Sequence, residues 1–278
     1  MTATPLDVSG VRFSIDGAIA TITLDRPKAG NTIDMDMADG LAAASLRCVG
    51  DDTIRCVVVT GEGRFFCGGG DLAAMKAAGD ANRGAFLHDL ADRVHIALSR
   101  LMRMPKPLIT IVNGPAAGAG LSLAICGDIV LAARSATFLA AYGGVGLTPD
   151  GGMSWSLPRL VGMRRAQEII IRNRPVDAEE AGRIGLVTEV IDDDALLAEG
   201  MKLAQELAGG ATAAIGSARA LLLAAYDNAL EAQLALEART ISAAGMTHEA
   251  AEGIGAFLEK RRPDFAGAAR KSVTKKEA

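Results

Sequence analysis

The sequence has few aromatic residues, no long apolar run and no large excess of either charge. Aromatic residues make up only 4% of the 278 residues while 50% are hydrophobic, so small and aliphatic side chains must fill the core. No uninterrupted apolar segment is long enough to span a bilayer, and no basic region followed by an apolar stretch marks a signal peptide. The formal net charge of −4 argues against nucleic acid as the main partner. We therefore expect neither a membrane nor a nucleic acid as partner, and we interpret the short basic segment 271–276 as a solvated chain end.

The cysteines also lack the spacing of a functional cluster. None of the four, Cys48, Cys56, Cys67 and Cys126, stands at the C-x-x-C spacing of a zinc or redox site. Reduced thiols are typical of cytoplasmic proteins, so we expect a cytoplasmic location. Because no other ligand cluster is evident, we expect no bound metal and no permanently bound cofactor.

Hydrophobic periodicity predicts an α/β protein. Alternation on either side of Asp16-Gly17 is typical of a β-hairpin, with strands over residues 11–15 and 18–24. Further strands are predicted over residues 55–60, 108–112 and 129–132, and helices over residues 34–48, 85–102 and 117–126. The second of these helices is expected to end near Pro105 and Pro107. Repeated alternation of strands and helices indicates the α/β class.

After residue 153 the pattern becomes mainly helical. Helices are predicted over residues 154–160, 164–172 and 178–183, followed by a short strand over residues 186–190. The segment from residue 195 to residue 260 is predicted to be helical throughout. These patterns divide the chain into an α/β core at residues 1–200 and a C-terminal helical region at residues 201–278.

Two glycine clusters follow predicted buried strands. The first is Phe66-Cys67-Gly68-Gly69-Gly70-Asp71-Leu72, and the second is the stretch from Asn113 to Ala124. Glycine removes the side chain where the backbone turns, so main-chain N–H groups can approach a ligand closely. The start of a helix adds unpaired N–H groups and partial positive charge. Two such strand ends can supply two N–H donors to one oxygen, which is the arrangement of an oxyanion site.

Further motifs stand in a fixed order along the chain. They are Asp25-Arg26-Pro27 with Asn31, the segment Asn113 to Asp128, Pro158-Arg159-Leu160-Val161-Gly162, Ala181 to Val187, and Phe257-Leu258-Glu259-Lys260-Arg261 with Pro263 and Phe265. Together with the first glycine cluster, this order resembles the crotonase (enoyl-CoA hydratase/isomerase) superfamily over most of the chain. The resemblance implies a crotonase-like spiral of ββα units with a helical C-terminal oligomerisation part, assembled as a homotrimer or a dimer of trimers.

The resemblance also implies a substrate and a way of binding it. Members of the family bind an acyl-CoA thioester, so coenzyme A would enter as part of the substrate. Two backbone N–H groups polarise the thioester carbonyl, and by position these are the amides of Gly70 and Ala119. The glycines beside them, Gly69 and Gly118, belong to the same two loops. Contacts to the CoA arm are implied for a further set of residues, namely Lys28, Ala29, Gly68, Asp71 and Leu72.

The positions that carry acid–base chemistry in the family differ from the hydratase pattern. Ser122 and Tyr142 stand where the family's hydratases carry two glutamates. We expect Ser122 to line the pocket and Tyr142 to shape the acyl site, since neither can act as a carboxylate. Asp150, within Gly146 to Gly152, matches the aspartate of the phenylacetate-pathway isomerases of ring epoxides and double bonds. The resemblance therefore favours isomerisation of an unsaturated or ring-modified acyl-CoA, with Asp150 moving a proton.

Other interpretations use the same residues differently. Asp150 and His95 also match the nucleophilic aspartate and the catalytic histidine of 4-chlorobenzoyl-CoA dehalogenases, which predicts a related hydrolase, although Tyr142 replaces their tryptophan and loses its indole donor. From local sequence alone, Asp150 fits an Asp-Gly turn or a helix cap, and His95 fits a bonded core or surface histidine. A hydratase with displaced acid and base groups, or a non-catalytic protein that binds CoA thioesters, are further alternatives.

Overall fold

The computed structural model of the chain describes residues 6–8 and 10–268, so the basic segment 271–276 lies outside the described residues. Two sheets are present. The strands, in chain order, are β1 (Leu6–Val8), β2 (Val11–Asp16), β3 (Ile19–Leu24), β4 (Cys56–Gly61), β5 (Leu108–Val112), β6 (Ala116–Ala117), β7 (Ile129–Ala133), β8 (Thr137–Leu139), β9 (Val176–Asp177) and β10 (Glu189–Ile191).

The larger sheet has seven strands in the order β1-β2-β3-β4-β5-β7-β10. Its first three strands are antiparallel, and the predicted hairpin forms with Asp16 opposite Ile19. From β3 to β10 neighbouring strands run parallel. The interior strand β5 is buried at every residue, as expected for a parallel strand covered on both faces. The smaller sheet joins β6, β8 and β9.

Helices pack on the large sheet and alternate with its parallel strands, which confirms the predicted α/β class. They are α1 (Met35–Gly50), α2 (Leu72–Ala77), α3 (Arg83–Arg103), α4 (Ala119–Ala124), α5 (Met153–Val161), α6 (Met163–Arg172), α7 (Ala178–Arg183), α8 (Leu196–Gly209), α9 (Thr212–Ala224), α10 (Leu230–Gly245) and α11 (His248–Leu258). Two 3-10 turns occur at Pro27–Ala29 and Tyr142–Val145.

Helix α3 is the long helix beside the candidate site, and its sequence explains its length and orientation. Leu90, Val94, Leu98 and Leu101 recur at helical spacing and are buried, so one face packs inward. The helix ends at Met104, whose extended backbone suits a residue that precedes a proline. Its main packing partner is α1. The predicted end near Pro105 is therefore confirmed.

Several predicted boundaries are wrong for identifiable reasons. The helix predicted over residues 117–126 is shorter, because Ala116–Ala117 form β6 and pair with Phe138 and Leu139 of β8. The strand predicted over residues 186–190 is Glu189–Ile191, since Leu186 and Val187 are buried by packing in a loop. The helical segment predicted from residue 195 to residue 260 is four helices with breaks between them.

The C-terminal helices differ in how much of their surface is covered. Helix α8 crosses residue 200 and packs on β3, β4, β5 and β7, whereas α10 has no buried residue. Large apolar side chains of α9 to α11 and of the adjoining turns are exposed, namely Leu222, Tyr226, Leu230, Leu234, Ile241, Met246, Ile254, Phe257 and Leu258. Among the described helices, none alone has the length and hydropathy of a membrane span. Helices α8 and α9 have that length and hydropathy only when they are counted as one segment, and they are bent by 102° where they meet.

Candidate active site

The two glycine clusters meet where β4 and β5 end. Because these strands are parallel neighbours, their carboxyl ends lie at the same edge of the sheet. The Cys67 N–H donates to the Pro115 carbonyl at 3.2 Å, and the Ala117 N–H donates to the Cys67 carbonyl at 2.9 Å. These bonds join the two loops directly, as the two-loop interpretation of the sequence requires.

Gly70 and Ala119 line a common cavity, and their amides have no hydrogen-bond acceptor among the described residues. In the bridge to Ile33, the Ile33 N–H donates to Gly69 O at 2.7 Å and the Asp71 N–H donates to Ile33 O at 2.9 Å. The Gly70 N–H therefore points away from this bridge. Ala119 opens α4, where N–H groups have no partner within the helix. Neither amide donates to an acceptor within residues 6–8 and 10–268, and both residues line one cavity.

Gly69 and Gly118 shape the backbone that presents these two amides. Gly69 has φ of +92°, and a Cβ there would lie 2.7 Å from the Ala117 carbonyl oxygen and 3.5 Å from the Ala119 nitrogen. Gly118 has φ of +54°, and its Cβ would lie 3.8 Å from the Gly69 Cα. Side chains of L residues rarely adopt such φ values. Both residues are buried, so they serve the site through backbone geometry.

Asp71 and Arg26 hold the first loop from behind. Asp71 caps α2, because its Oδ1 accepts the N–H groups of Ala73 at 3.0 Å and Ala74 at 3.1 Å. Its Oδ2 lies 3.1 Å from an Arg26 nitrogen, which also lies 3.0 Å from Asp34. Burial acts to raise the pKa of Asp71, but the hydrogen bond from Ala74 and the Arg26 guanidinium outweigh it and lower that pKa. The Arg26 charge is thus engaged inside the protein.

The residues expected along the CoA arm form an exposed border beside the first loop. Lys28 and Ala29 are exposed in the 3-10 turn, and Leu72 is exposed at the start of α2. The Gly68 N–H donates to the Gly30 carbonyl at 2.9 Å, which places the loop against this turn. The structure therefore brings the predicted residues to one side of the site.

The cavity that contains both amides has a volume of about 330 Å³. Its walls are mainly apolar and come from α2, from α3 and from the segments on either side of them. The apolar side chains are Ile33, Met75, Leu87, Leu90, Val94 and Leu147. The polar side chains are His88, Tyr142, Thr148 and Asp150. Asp150 is the only carboxylate among the described residues that line the cavity.

Asp150 is half-buried in the loop between the second 3-10 turn and α5, and Tyr142 donates its hydroxyl hydrogen to Asp150 Oδ1. Burial raises the pKa of the Tyr142 phenol far above its ordinary value, and the Asp150 charge acts in the same direction. The hydroxyl therefore stays protonated and remains a donor. The sequence analysis noted that Tyr142 replaces the tryptophan of the dehalogenases and so loses an indole N–H donor. In the structure the Tyr142 hydroxyl is itself a donor, to Asp150.

The same geometry excludes a capping role for the Asp150 carboxylate. Gly152 precedes the first residue of α5, and no side chain caps that helix. Asp150 contributes only its backbone carbonyl, which accepts the Met153 N–H at 3.1 Å. The carboxylate is thus directed to Tyr142 and the cavity.

Ser122 and His95 lie behind the Asp150 loop. Ser122 is only 2% exposed and its Oγ donates to the Asp150 carbonyl at 2.9 Å. It does not line the cavity, contrary to expectation, because α4 directs it under the loop. The Gly151 N–H donates to His95 Nε2 at 3.0 Å. The structure therefore brings both residues to Asp150, but through the backbone of the loop.

A second and larger cavity, of about 790 Å³, lies on the other face of the same loop. His95 lines it together with Gly151 and Gly152, and its further walls come from α3, α5 and the end of α9. It contains neither of the two free amides nor the Asp150 side chain. The smaller cavity is therefore the candidate site, because the groups with chemical function converge there.

Sequence reasoning missed most of the cavity wall, including His88 and Met75. His88 lies on α3 with its Nε2 3.5 Å from Asp92, and Met75 reaches from α2 towards Gly70. A signal for His88 was present, since Gly84, Leu87, His88, Ala91 and Val94 share one helical face that lines the cavity. Met75 has no such signal, because the short helix α2 was not predicted.

The described residues contain no group of three His, Cys, Asp or Glu side chains that could hold a metal ion. All four cysteines are free and buried. Burial raises the pKa of the Cys67 thiol to about 12, and it acts in the same direction on the other three. These thiols are neutral at physiological pH and belong to the core.

Comparison with known proteins agrees with the resemblance in the sequence. The family model described as enoyl-CoA hydratase/isomerase matches residues 14–268. The chain therefore belongs to the enoyl-CoA hydratase/isomerase family, and it has the crotonase fold. It is a member of an enzyme family for which an acyl-CoA thioester is a fitting substrate.

Individual relatives carry both hydratase and isomerase names. The chain is 40% identical over 257 residues to a "probable enoyl-CoA hydratase" of Rhodobacter capsulatus, covering 92% of this chain and 98% of that protein. It is 39% identical over 253 residues to the 1,2-epoxyphenylacetyl-CoA isomerase of Escherichia coli, covering 91% and 97%. Among solved structures, an enoyl-CoA hydratase from Polaromonas sp. JS666 matches with a TM-score of 0.85 and 33% identity, covering 91% and 98%.

Proposed function

We propose that this chain isomerises an unsaturated or ring-modified acyl-CoA and that Asp150 moves the proton. One observation carries this proposal. Asp150 is the only carboxylate among the described residues lining the cavity, and Gly70 and Ala119, whose amides have no acceptor among the described residues, line the same cavity. One carboxylate beside two oxyanion donors suits a reaction that moves a proton between two carbons of the substrate.

The two amides would bind the thioester oxygen of the acyl-CoA. Removal of a proton next to the thioester carbonyl places negative charge on that oxygen, and fixed N–H donors stabilise it without reorganisation. Loss of one such donor costs about 10²–10³ in kcat. The bonds through Cys67 and Ala117 hold the two loops together, so the donors are in place before the substrate binds.

For a 3-enoyl-CoA, the steps balance with Asp150 alone. The Asp150 carboxylate takes a proton from C2, and the electron pair of that C–H bond forms the enolate held by Gly70 and Ala119. The protonated Asp150 then returns the proton to C4 while the double bond settles between C2 and C3. No atom is gained or lost, so the product has the mass of the substrate.

The alternatives are less well supported by the same geometry. Hydration in this family uses two glutamates, whereas the cavity offers one carboxylate among its described lining residues. Hydrolysis with His95 as base needs a ring nitrogen that faces the substrate, whereas His95 Nε2 accepts from Gly151 and the ring lines the larger cavity. The name of the isomerase relative also supports isomerisation.

Coenzyme A would lie along the exposed border of the first loop as part of the substrate. Lys28 and Ala29 from the 3-10 turn, and the backbone around Gly68, Asp71 and Leu72, are the residues we assign to this contact. Lys28 is the cation of this set, because the Arg26 charge is already engaged by Asp34 and Asp71. A lysine suits phosphate as a mobile point charge.

The C-terminal helices would assemble the protein into a homotrimer or a dimer of trimers. Their exposed apolar side chains form a surface that monomeric proteins seldom leave uncovered. Light scattering coupled to size-exclusion chromatography tests this assembly. A monomer at micromolar concentration would contradict it.

The test of the reaction is turnover of 3-hexenoyl-CoA labelled with deuterium at C2. We expect a product of isomeric structure in which part of the deuterium appears at C4, because one carboxylate carries the same hydron between the two carbons. We expect Asp150→Asn to lower kcat by about 10²–10⁴-fold. Asp16→Asn, an exposed aspartate at the end of β2, is the matched control and should keep full activity.

Three results would count against the proposal. Full activity of the Asp150→Asn variant would exclude Asp150 as the proton carrier. A product that gains the mass of water would indicate hydration. Tight binding of several CoA thioesters without any product would instead favour a non-catalytic binding protein.

A further inference from the structure

The peptide bond between Asp150 and Gly151 is held at both of its polar ends by side chains. Ser122 Oγ donates to the Asp150 carbonyl oxygen at 2.9 Å, and the Gly151 N–H donates to His95 Nε2 at 3.0 Å. The carbonyl and the N–H belong to one planar unit, so the two contacts together fix the orientation of that plane. The plane in turn sets the direction in which the Asp150 side chain leaves the backbone.

The surroundings of this peptide are tightly packed against Gly151, so the loop has no space to move towards Ser122 and Leu98. Gly151 is buried with φ of +60°, and a Cβ there would lie 2.7 Å from Ser122 Cβ and 3.3 Å from Leu98 Cδ1. Gly152 follows with φ of +77°. Two successive glycines do not by themselves fix one backbone conformation, because glycine has the largest backbone freedom. Contacts from outside the loop must therefore define it.

The hydrogen-bond direction fixes the state of the His95 ring. An imidazole nitrogen that accepts from an N–H carries no proton, so the proton of neutral His95 is on Nδ1. Nε2 is then occupied by Gly151 and faces the loop backbone, while the ring borders the larger cavity. In this arrangement Nε2 is unavailable to take a proton from a water molecule at the substrate.

We propose that His95 and Ser122 are positioning residues that fix the Asp150–Gly151 peptide and thereby aim the Asp150 carboxylate at the substrate. This inference rests on the proposed role of Asp150 as proton carrier. Tyr142 completes the arrangement by holding the carboxylate itself. Asp150 is thus held at its carboxylate, its carbonyl and the following N–H by three different side chains.

Protonation of His95 would undo one of these contacts. An imidazolium has two N–H donors and no acceptor, so it would face the Gly151 N–H with a donor.

The test compares His95→Ala with His95→Gln in the full chain, with 3-hexenoyl-CoA as substrate. Glutamine offers a carbonyl oxygen near the position of Nε2 but cannot take up a proton. We expect His95→Ala to lower kcat by about ten- to a hundredfold with little change in KM. We expect His95→Gln to recover most of that loss, because the amide oxygen can accept the Gly151 N–H in place of Nε2.

Deuterium exchange of the backbone gives a readout that needs no turnover. The segment that contains residues 150–152 should exchange faster in His95→Ala and in Ser122→Ala than in the unmodified protein, and His95→Gln should exchange normally. Ser99→Ala is the matched control. Ser99 lies one helical turn beyond His95 and lines the same larger cavity, so this variant should change neither exchange nor kcat.

The outcomes separate this inference from the proposed function. If His95→Gln is as inactive as His95→Ala, His95 acts as a base and the positioning role is wrong. Unchanged exchange and kcat in His95→Ala would also overturn it. If Asp150→Asn keeps its activity while exchange responds as expected, His95 and Ser122 do fix the Asp150–Gly151 peptide, but Asp150 is not the proton carrier.

Discussion

Replacing Gly69 by alanine should damage both the fold and the site, whereas the same change at Gly70 should be tolerated by the fold. A Cβ on Gly69 would lie 2.7 Å from the Ala117 carbonyl oxygen, which is a backbone atom fixed by its own strand. The φ of +92° adds a cost of about 1–2 kcal/mol for an L residue. With the close contact, we expect a loss of about 2–3 kcal/mol in the free energy of unfolding.

The effect on turnover follows from the position of the neighbouring amide. Relief of the contact must move the first loop away from Ala117, and this displaces the Gly70 N–H from the position proposed for the thioester oxygen. Loss of one oxyanion donor corresponds to about 10²–10³ in kcat. At Gly70, in contrast, the Cβ would lie 2.4 Å from Met75 Cε, the mobile end of a flexible side chain. Gly70→Ala should therefore change the free energy of unfolding by less than about 1 kcal/mol and alter mainly KM, because Met75 lines the cavity.

Urea unfolding followed by circular dichroism gives the first quantity, and initial rates with 3-hexenoyl-CoA give the second. The comparison is matched, since each variant adds one methyl group and the two positions are adjacent. A Gly69→Ala protein with kcat within about threefold of the unmodified value would refute the reasoning. So would a Gly70→Ala protein as unstable as Gly69→Ala.

Three further predictions concern the framework of the site. Arg219 is 7% exposed and its Nε lies 2.7 Å from Asp128, so Arg219→Leu should cost about 3–5 kcal/mol in urea unfolding; a loss below about 1 kcal/mol would contradict this. The pKa of Asp71 is lowered in the folded state, so its stabilising effect is present above its ordinary pKa of about 3.9 and is lost as the pH falls below it. The difference in unfolding free energy between the unmodified protein and Arg26→Met should therefore shrink below about pH 4, and a difference independent of pH would count against the pairing. Since the pKa of the Cys67 thiol is raised to about 12, alkylation at pH 8, followed by mass spectrometry, should be slow at Cys67 until urea unfolds the chain; rapid labelling of the folded protein would disprove this.

The sequence allowed the main elements of the large sheet to be predicted, because their signals are local. The hairpin at Asp16-Gly17 and the buried run Leu108–Val112 are both found where periodicity placed them. The short strands β6, β8 and β9 were missed, since two or three residues show no period and pair only through the tertiary fold. Predictions that depend on long-range pairing therefore failed first.

In the candidate site, too, some features were predictable from the sequence and others were not. The backbone donors Gly70 and Ala119 were predicted by motif and lie at one cavity. The direction of a side chain such as Ser122 depends on how a helix rotates under a loop, and it was predicted incorrectly. The bond from Tyr142 to Asp150 joins residues eight positions apart in an irregular segment, where no periodic pattern shows which groups will meet.

Because Asp150 is held by other side chains, the reaction that the site can carry out depends on several residues together. By the sequence resemblance, Ser122 and Tyr142 stand where hydratases of the family carry glutamates. They are also the residues that hold the Asp150 carbonyl and carboxylate. A glutamate at either position would remove a support of Asp150, the proposed proton carrier, before a complete pair of new carboxylates exists. Single substitutions towards the two-glutamate arrangement are therefore epistatic: each is harmful alone, and the two chemistries are separated by a gap that one mutation does not cross.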